Sequence, residues 1–290
     1  MSYELVFVQQ NEECPTLQDL VDYFRRRDWY EVDAGDARYL NSDTGIYFTF
    51  VWPNGGEADA EVDEVQFELA LARPRVFAEE AAAEIEPFVE AFGFEVRSAD
   101  EEGEPSAYDP ESFVDDWEEA NRAALQTIAD ESDEAPFKFS LPSEKLRRVW
   151  EWNRRRRDYQ RQLGQSVFVP QMMMFEVGDE LQSAVVWPDA VPLALPPVDF
   201  VLVSMPEQFS ETDEKPTPRR VGRQAFLEAV EIDAEERSEP LEHHLLLWEK
   251  QPAELVERLL EEGTVATPSS MTGVPLDVIL DEDLLPEAAE

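Results

Sequence analysis

His243, His244 and Cys14 are the only histidines and the only cysteine in this 290-residue sequence, and they bound the chemistry available to it. A zinc site needs three or four ligands converging on one ion, whereas neighbouring residues on a strand point to opposite faces. The two histidines are therefore expected as surface or edge residues. Cys14 alone forms neither an intrachain disulfide nor a cysteine cluster, and fits a reducing compartment. A serine nucleophile would need one of the two histidines as its base, and no Gly-x-Ser-x-Gly elbow is present. Glycine-rich loops that cradle phosphate are also missing from the sequence. With 66 acidic side chains, no carboxylate pair stands out as a general acid and base. No catalytic residue, metal ligand or cofactor is expected, and nothing argues positively for an enzyme.

One segment departs from the rest in charge. Residues 141–164 hold eight basic and three acidic side chains, +5 in a chain of 24 − 66 = −42, which leaves −47 for the remainder. Read at helical periodicity, Val149, Trp152, Tyr159 and Leu163 share one face, with Arg156 near its middle. Arg156 is expected either to be buried with a carboxylate or to mark a gap at the edge of that face. Arg147, Arg154 and Arg161 recur every seven residues on the opposite side, with Trp150 between the first two. Arginine around an indole is the composition of an interface anchor, since both give large contact area and directional bonds. Arg147, Trp150, Arg154, Arg157 and Arg161 are the expected partner-binding residues. The same helix could instead dock on the acidic run Asp115–Glu119 of its own chain.

Those residues need a folded frame, and 43% hydrophobic composition is too rich for a disordered acidic tail. A field of one sign repels nucleic-acid phosphates and anionic lipid, and steers cationic surfaces inward. The expected partner is another protein, with no nucleic acid, no membrane insertion and an unspecified oligomeric state. The N-terminal residues lack a basic leader, and no uncharged apolar run of about 18 residues occurs, so a cytoplasmic protein is expected.

The elements read as α+β. Tyr3–Val8 alternates as a strand, and Thr16 with Asp19 forms an N-terminal capping signal ahead of Leu17, Leu20, Val21 and Phe24. Glu31–Tyr39 and Ile46–Trp52 flank the turn Asn41–Gly45 as a hairpin. Val65–Ala72 is a further strand, followed by a helix at 77–92 that Pro87 should kink or restart, and by a strand at 94–97. This βαβββαβ order makes residues 1–98 a small sheet-and-helix domain. Residues 99–134, with 14 acidic side chains and one arginine, read as an acidic linker and a helix burying Phe113, Trp117, Ala120, Ala124 and Ile128. Residues 135–290 form a second α+β domain: the basic helix, a hairpin around Gly178-Asp179, a strand at 199–203, and helices near 223–230 and 253–261. Met172–Met174 is expected to pack on both faces of a strand, Pro192–Pro197 to form a rigid apolar loop, 207–220 an exposed loop and 264–273 another. The acidic C-terminal tail is expected to fray after Leu285.

The stretches Thr44–Phe50, Trp150-Glu151-Trp152-Asn153 and Val186-Trp187-Pro188-Asp189-Ala190 give the chain a resemblance to bacterial proteins of the toxin-immunity type. The resemblance implies a cytoplasmic protein that binds and blocks another protein, and carries over no functional residue. The expected function is thus a non-catalytic binding protein, an immunity or inhibitor protein that neutralises a basic partner such as a toxin or effector. Two other classes stay open: an enzyme or housekeeping domain of a high-salt cytoplasm, whose acidity serves solubility, and a nucleic-acid mimic.

Overall fold

The computed structural model describes residues 1–10, 14–53, 57–99, 103–132, 137–188, 191–204, 218–230, 234–248, 253–267 and 269–286. The chain forms two compact units, residues 1–143 with 276–290, and residues 144–275. Helices and sheets occur in both, the α+β class expected.

The first unit begins with β1 (Ser2–Gln9) and α1 (Leu17–Arg25). The capping signal is realised: the Thr16 hydroxyl accepts from Asp19 N–H at 3.2 Å, and the Asp19 carboxylate accepts from Thr16 N–H at 3.0 Å. Next come β2 (Tyr30–Val32), β3 (Asp36–Leu40), β4 (Tyr47–Val51), β5 (Glu64–Ala70), α2 (Val76–Phe92) and β6 (Phe94–Ser98). A turn closed by Asp33 N–H onto Asp36 O at 2.9 Å divides the single strand expected at 31–39, which adds one strand to the βαβββαβ order. The antiparallel sheet runs β2-β3-β4-β5-β1-β6. α2 continues through Pro87, held on either side by the fully buried Ile85 and Phe88.

Alternation along the strands buries Leu5, Phe7, Phe48, Phe50, Val65 and Phe67, and leaves Glu4, Gln66 and Glu68 exposed on the other face. The buried face meets both helices: Phe7 lies 5.3 Å from Phe88 of α2, and Phe50 lies 4.9 Å from Phe24 of α1, between ring centroids. Burying each of these rings contributes about 2–3 kcal/mol. The hairpin turn is tied to α2 by the buried Glu80, whose Oε1 accepts from Tyr39 Oη at 2.6 Å, Asn41 Nδ2 at 2.8 Å and Thr44 Oγ1 at 3.1 Å. Burial, then the adjacent Glu80, holds the Tyr39 phenol well above its ordinary pKa, so it serves as a donor.

α3 (Pro110–Glu131) is capped by Asp109, which accepts from Ser112 N–H at 3.0 Å. Its buried face is Phe113, Val114, Trp117, Asn121, Ala124 and Leu125, while Ala120 and Ile128 are only half-buried. The face is rotated because Asn121 clasps a backbone: its Oδ1 accepts from Ala72 N–H at 2.6 Å and its Nδ2 donates to Arg73 O at 3.0 Å. α3 also packs along α2, so the division expected between 98 and 110 falls inside the first unit. β7 (Ser140–Leu141) follows.

The second unit contains α4 (Ser143–Leu163, from Glu144 onward), β8 (Met173–Val177), β9 (Glu180–Pro188), β10 (Leu193–Leu195), β11 (Phe200–Ser204) and β12 (Arg219–Gly222). After these come α5 (Arg223–Val230), β13 (Glu235–Arg237), β14 (His243–Leu246), α6 (Ala253–Glu262), β15 (Thr264–Val265) and β16 (Thr272–Val274). One sheet runs β15-β12-β11-β9-β8-β16, parallel only between β9 and β11, and a smaller one runs β10-β14-β13. Met172 and Met174 are buried and Met173 is half-buried, the two-sided packing expected of this run. The segment expected as a proline-rich loop instead contains β10, because Leu193, Ala194 and Leu195 are all buried and pair with β14. Likewise the loop expected at 264–273 begins and ends in strands. A side chain at Gly263 would lie 2.8 Å from Arg219 Cβ and from Leu259 O, so only glycine lets α6 turn this closely onto β12.

The chain then returns to the first unit. β17 (Leu280–Asp281) pairs in parallel with β7, and Leu280 and Leu284 pack against Leu125. The buried Asp281 carboxylate accepts from Arg75 N–H at 2.7 Å. Residues 287–290 of the expected fraying tail, most of the loop expected at 207–220, and residues 100–102 and 133–134 of the acidic linker lie outside the described residues.

Candidate functional site

α4 carries the five residues singled out for partner binding. Arg147, Arg154, Arg157 and Arg161 are exposed, while Trp150 is buried at 7%. The buried arc is wider than the sequence pattern indicates: Leu146, Val149, Trp150, Trp152, Asn153 and Tyr159 span about half the helix circumference. Trp150 lies at the edge of that arc, and the Arg154 guanidinium sits 5.5 Å from its ring. At the surface the helix offers arginine, with an indole beneath one of them. Arg161 pairs with Asp158 one turn back, and Arg148 with Glu144 at 2.9 Å. Arg156, in the middle of the arc, is half-buried and directs Nη1 toward Val169 O at 3.5 Å.

Three polar groups fix the inner side of α4. Trp152 Nε1 donates to Pro170 O at 2.7 Å. Asn153 donates to Met172 O at 2.9 Å and accepts from Met172 N–H at 2.8 Å, the clasp that Asn121 makes in the first unit. Tyr159 Oη lies 2.6 Å from His243 Nε2. These contacts set the helix rotation, so the outward direction of the arginines follows from the buried side.

His243 is 2% exposed and packs against Trp152 and Tyr159, which corrects the surface placement expected of it. The tyrosine, 84 residues away in sequence, supplies the hydrogen-bonding partner that makes burial tolerable. Its Nδ1 faces Leu241 O at 2.7 Å, and a carbonyl only accepts, so Nδ1 carries the proton and Nε2 accepts from Tyr159. Burial above all keeps His243 below the ordinary histidine pKa. His244 points to the opposite face, as alternation requires, and its Nδ1 lies 3.0 Å from Arg223 Nη2. Arginine only donates, so Nδ1 of His244 is the acceptor and Nε2 bears the proton. Burial and then the Arg223 charge lower this histidine as well.

His243 and His244 line a cavity of about 560 Å³ in the second unit, with Arg223, Glu236, Arg237 and Glu242 among its other walls. β14 supplies the histidines and β13 supplies Glu236 and Arg237, in register with His244 and His243 respectively. Arg223 opens α5, its N–H donating to Asp199 O at 3.1 Å. None of these residues was singled out in the sequence as a binding group. His243 and His244 are the only rare residues among them, and the cavity depends on the pairing of β13 with β14 and on the contact of His244 with Arg223, 21 positions away.

Among the described residues no group of His, Cys, Asp or Glu is placed to hold a metal ion, and no helix is long and apolar enough to cross a membrane. The chain matches no protein-family model, and comparison with curated proteins and with solved structures gives no match.

Proposed function

We propose that the chain is a non-catalytic cytoplasmic binding protein of the immunity or inhibitor kind, which holds another protein, a basic toxin or effector, through the arginine face of α4. Its support is one observation: Arg147, Arg154, Arg157 and Arg161 are exposed on a helix whose inner side is locked by Trp152, Asn153 and Tyr159. A preset helix avoids part of the ordering cost of binding, and a planar guanidinium fits a carboxylate with two parallel bonds. The two charge signs divide the work. The −47 outside residues 141–164 steers a basic partner from a distance, and the arginine stripe fixes register on a carboxylate patch of that partner.

The test compares wild-type protein with a variant in which Arg147, Arg154, Arg157 and Arg161 are all glutamate, each used to recover partners from a lysate of the source organism. Loss of a specific co-purifying protein, with an unchanged melting curve, is expected. Raising salt should weaken the wild-type complex while leaving the fold intact, since exposed pairs are screened within about 10 Å at 0.1 M. Identical recovery by both proteins would refute the assignment of α4. A fold that melts at low salt would favour the high-salt alternative.

A further inference from the structure

The cavity beside α4 contains a cation in an unusual position. Arg223 is half-buried, and among the described residues it makes no ion pair with a carboxylate. Among the described residues its side chain makes one polar contact, with His244 Nδ1 at 3.0 Å, and its Nε is a buried donor with no hydrogen-bond partner. A guanidinium whose Nε–H is buried and unused is costly, and an oxyanion offers the geometry that removes the cost. Burial lowers the Arg223 pKa, with Glu236 acting against it, which agrees with a cation lacking full compensation. His244 adds a second donor, because accepting from Arg223 through Nδ1 leaves the proton on Nε2.

The charges inside and at the mouth differ in weight. The Glu236 side chain is 86% exposed and lies 3.7 Å from His244, and Glu242 is exposed too. Arg237, 48% exposed, is paired with Glu235 at 2.7 Å. Exposed charges of this kind are screened by water, whereas Arg223 acts in a less polar interior where each interaction is stronger. An anionic group therefore gains most at the inner end, against Arg223 and His244.

We propose that this cavity is a binding site for a small ligand bearing an oxyanion, a carboxylate or a phosphate, seated on Arg223 and the Nε2–H of His244. Its volume of about 560 Å³ is that of a small-molecule site and exceeds what one ion needs. The chain as a whole, at −42, disfavours scattered anion binding, so a saturable signal would report a local site.

The experiment titrates the full chain and its variants with inorganic phosphate and, separately, with acetate, measuring affinity by isothermal titration calorimetry and, in the wild type, following the Arg223 Nε–H resonance by NMR. Saturable movement of that resonance with either probe is the expected result, and the probe that binds identifies the anion. Arg223→Gln should weaken binding by about tenfold or more, the loss of a charged hydrogen bond, whereas Arg237→Gln should change it by less than about threefold. If Arg223→Gln does not fold, Arg223→Lys keeps the charge without the planar fork and should show the same loss. No saturable response to either probe, or equal affinity in the Arg223 variant, would overturn the proposal.

Discussion

Asn153→Ala isolates what holds α4 in place. The substitution removes both hydrogen bonds to Met172, a residue only 3% exposed, and leaves its N–H and its carbonyl buried without a partner. Each stranded group costs about 1–3 kcal/mol, so the pair should lower stability by about 2–6 kcal/mol, with a little more from the small cavity created. With a urea slope of roughly 1–3 kcal/mol per molar, the unfolding midpoint should fall by about 1 M or more at an unchanged slope. Intrinsic fluorescence is a suitable probe because Trp152, the neighbouring residue, is fully buried. Asn153→Asp sharpens the test: the carboxylate can still accept from Met172 N–H but opposes Met172 O, so it should not restore stability at pH 7. A midpoint within about 0.2 M of wild type for the alanine variant would show that the clasp does not anchor the helix.

Two further outcomes are expected. His243 binds a proton less readily folded than unfolded, so its contribution to stability is present above the ordinary histidine value near 6.5 and is lost as pH falls below it; urea unfolding at pH 7.5 and 5.5 should show a smaller acid loss in His243→Gln than in wild type. Gly45 holds φ +79° with open space around its Cα, so Gly45→Ala should cost about 1–2 kcal/mol from backbone strain alone, measured by the shift in unfolding midpoint.

Where the signal is local, the sequence determines the element closely. Thr16 and Asp19 lie three residues apart and start α1 as their pairing demands, and Asn41–Gly45 supplies its own turn. Where partners are distant, composition misleads. Asn121 is missing from the buried face expected of α3 because the backbone that repays its burial, at Ala72 and Arg73, is 48 to 49 residues away. Trp150 reads as an exposed anchor because a seven-residue arginine repeat frames it, yet the buried arc of α4 is broad enough to take it in. His243 is read as a surface residue for the same reason: the neighbouring sequence supplies Leu241 O for Nδ1, but the partner of Nε2, Tyr159, is 84 residues away. The arginine face of α4 was visible in charge alone, whereas the Arg223 cavity depends on strand pairing that no local pattern encodes.

The return of residues 276–286 to the first unit imposes an order on biosynthesis. β7 cannot find β17 until the whole of residues 144–275 has been translated, on the order of ten seconds after β7 itself at ordinary elongation rates. Through that interval Leu125 lacks the cover of Leu280 and Leu284, and the Arg75 N–H lacks its carboxylate. The second unit has all its strands before the first has its last one. A ribosome that stalls within residues 144–275 therefore releases a first unit with an open seam, a form that quality-control proteases can distinguish from the finished protein.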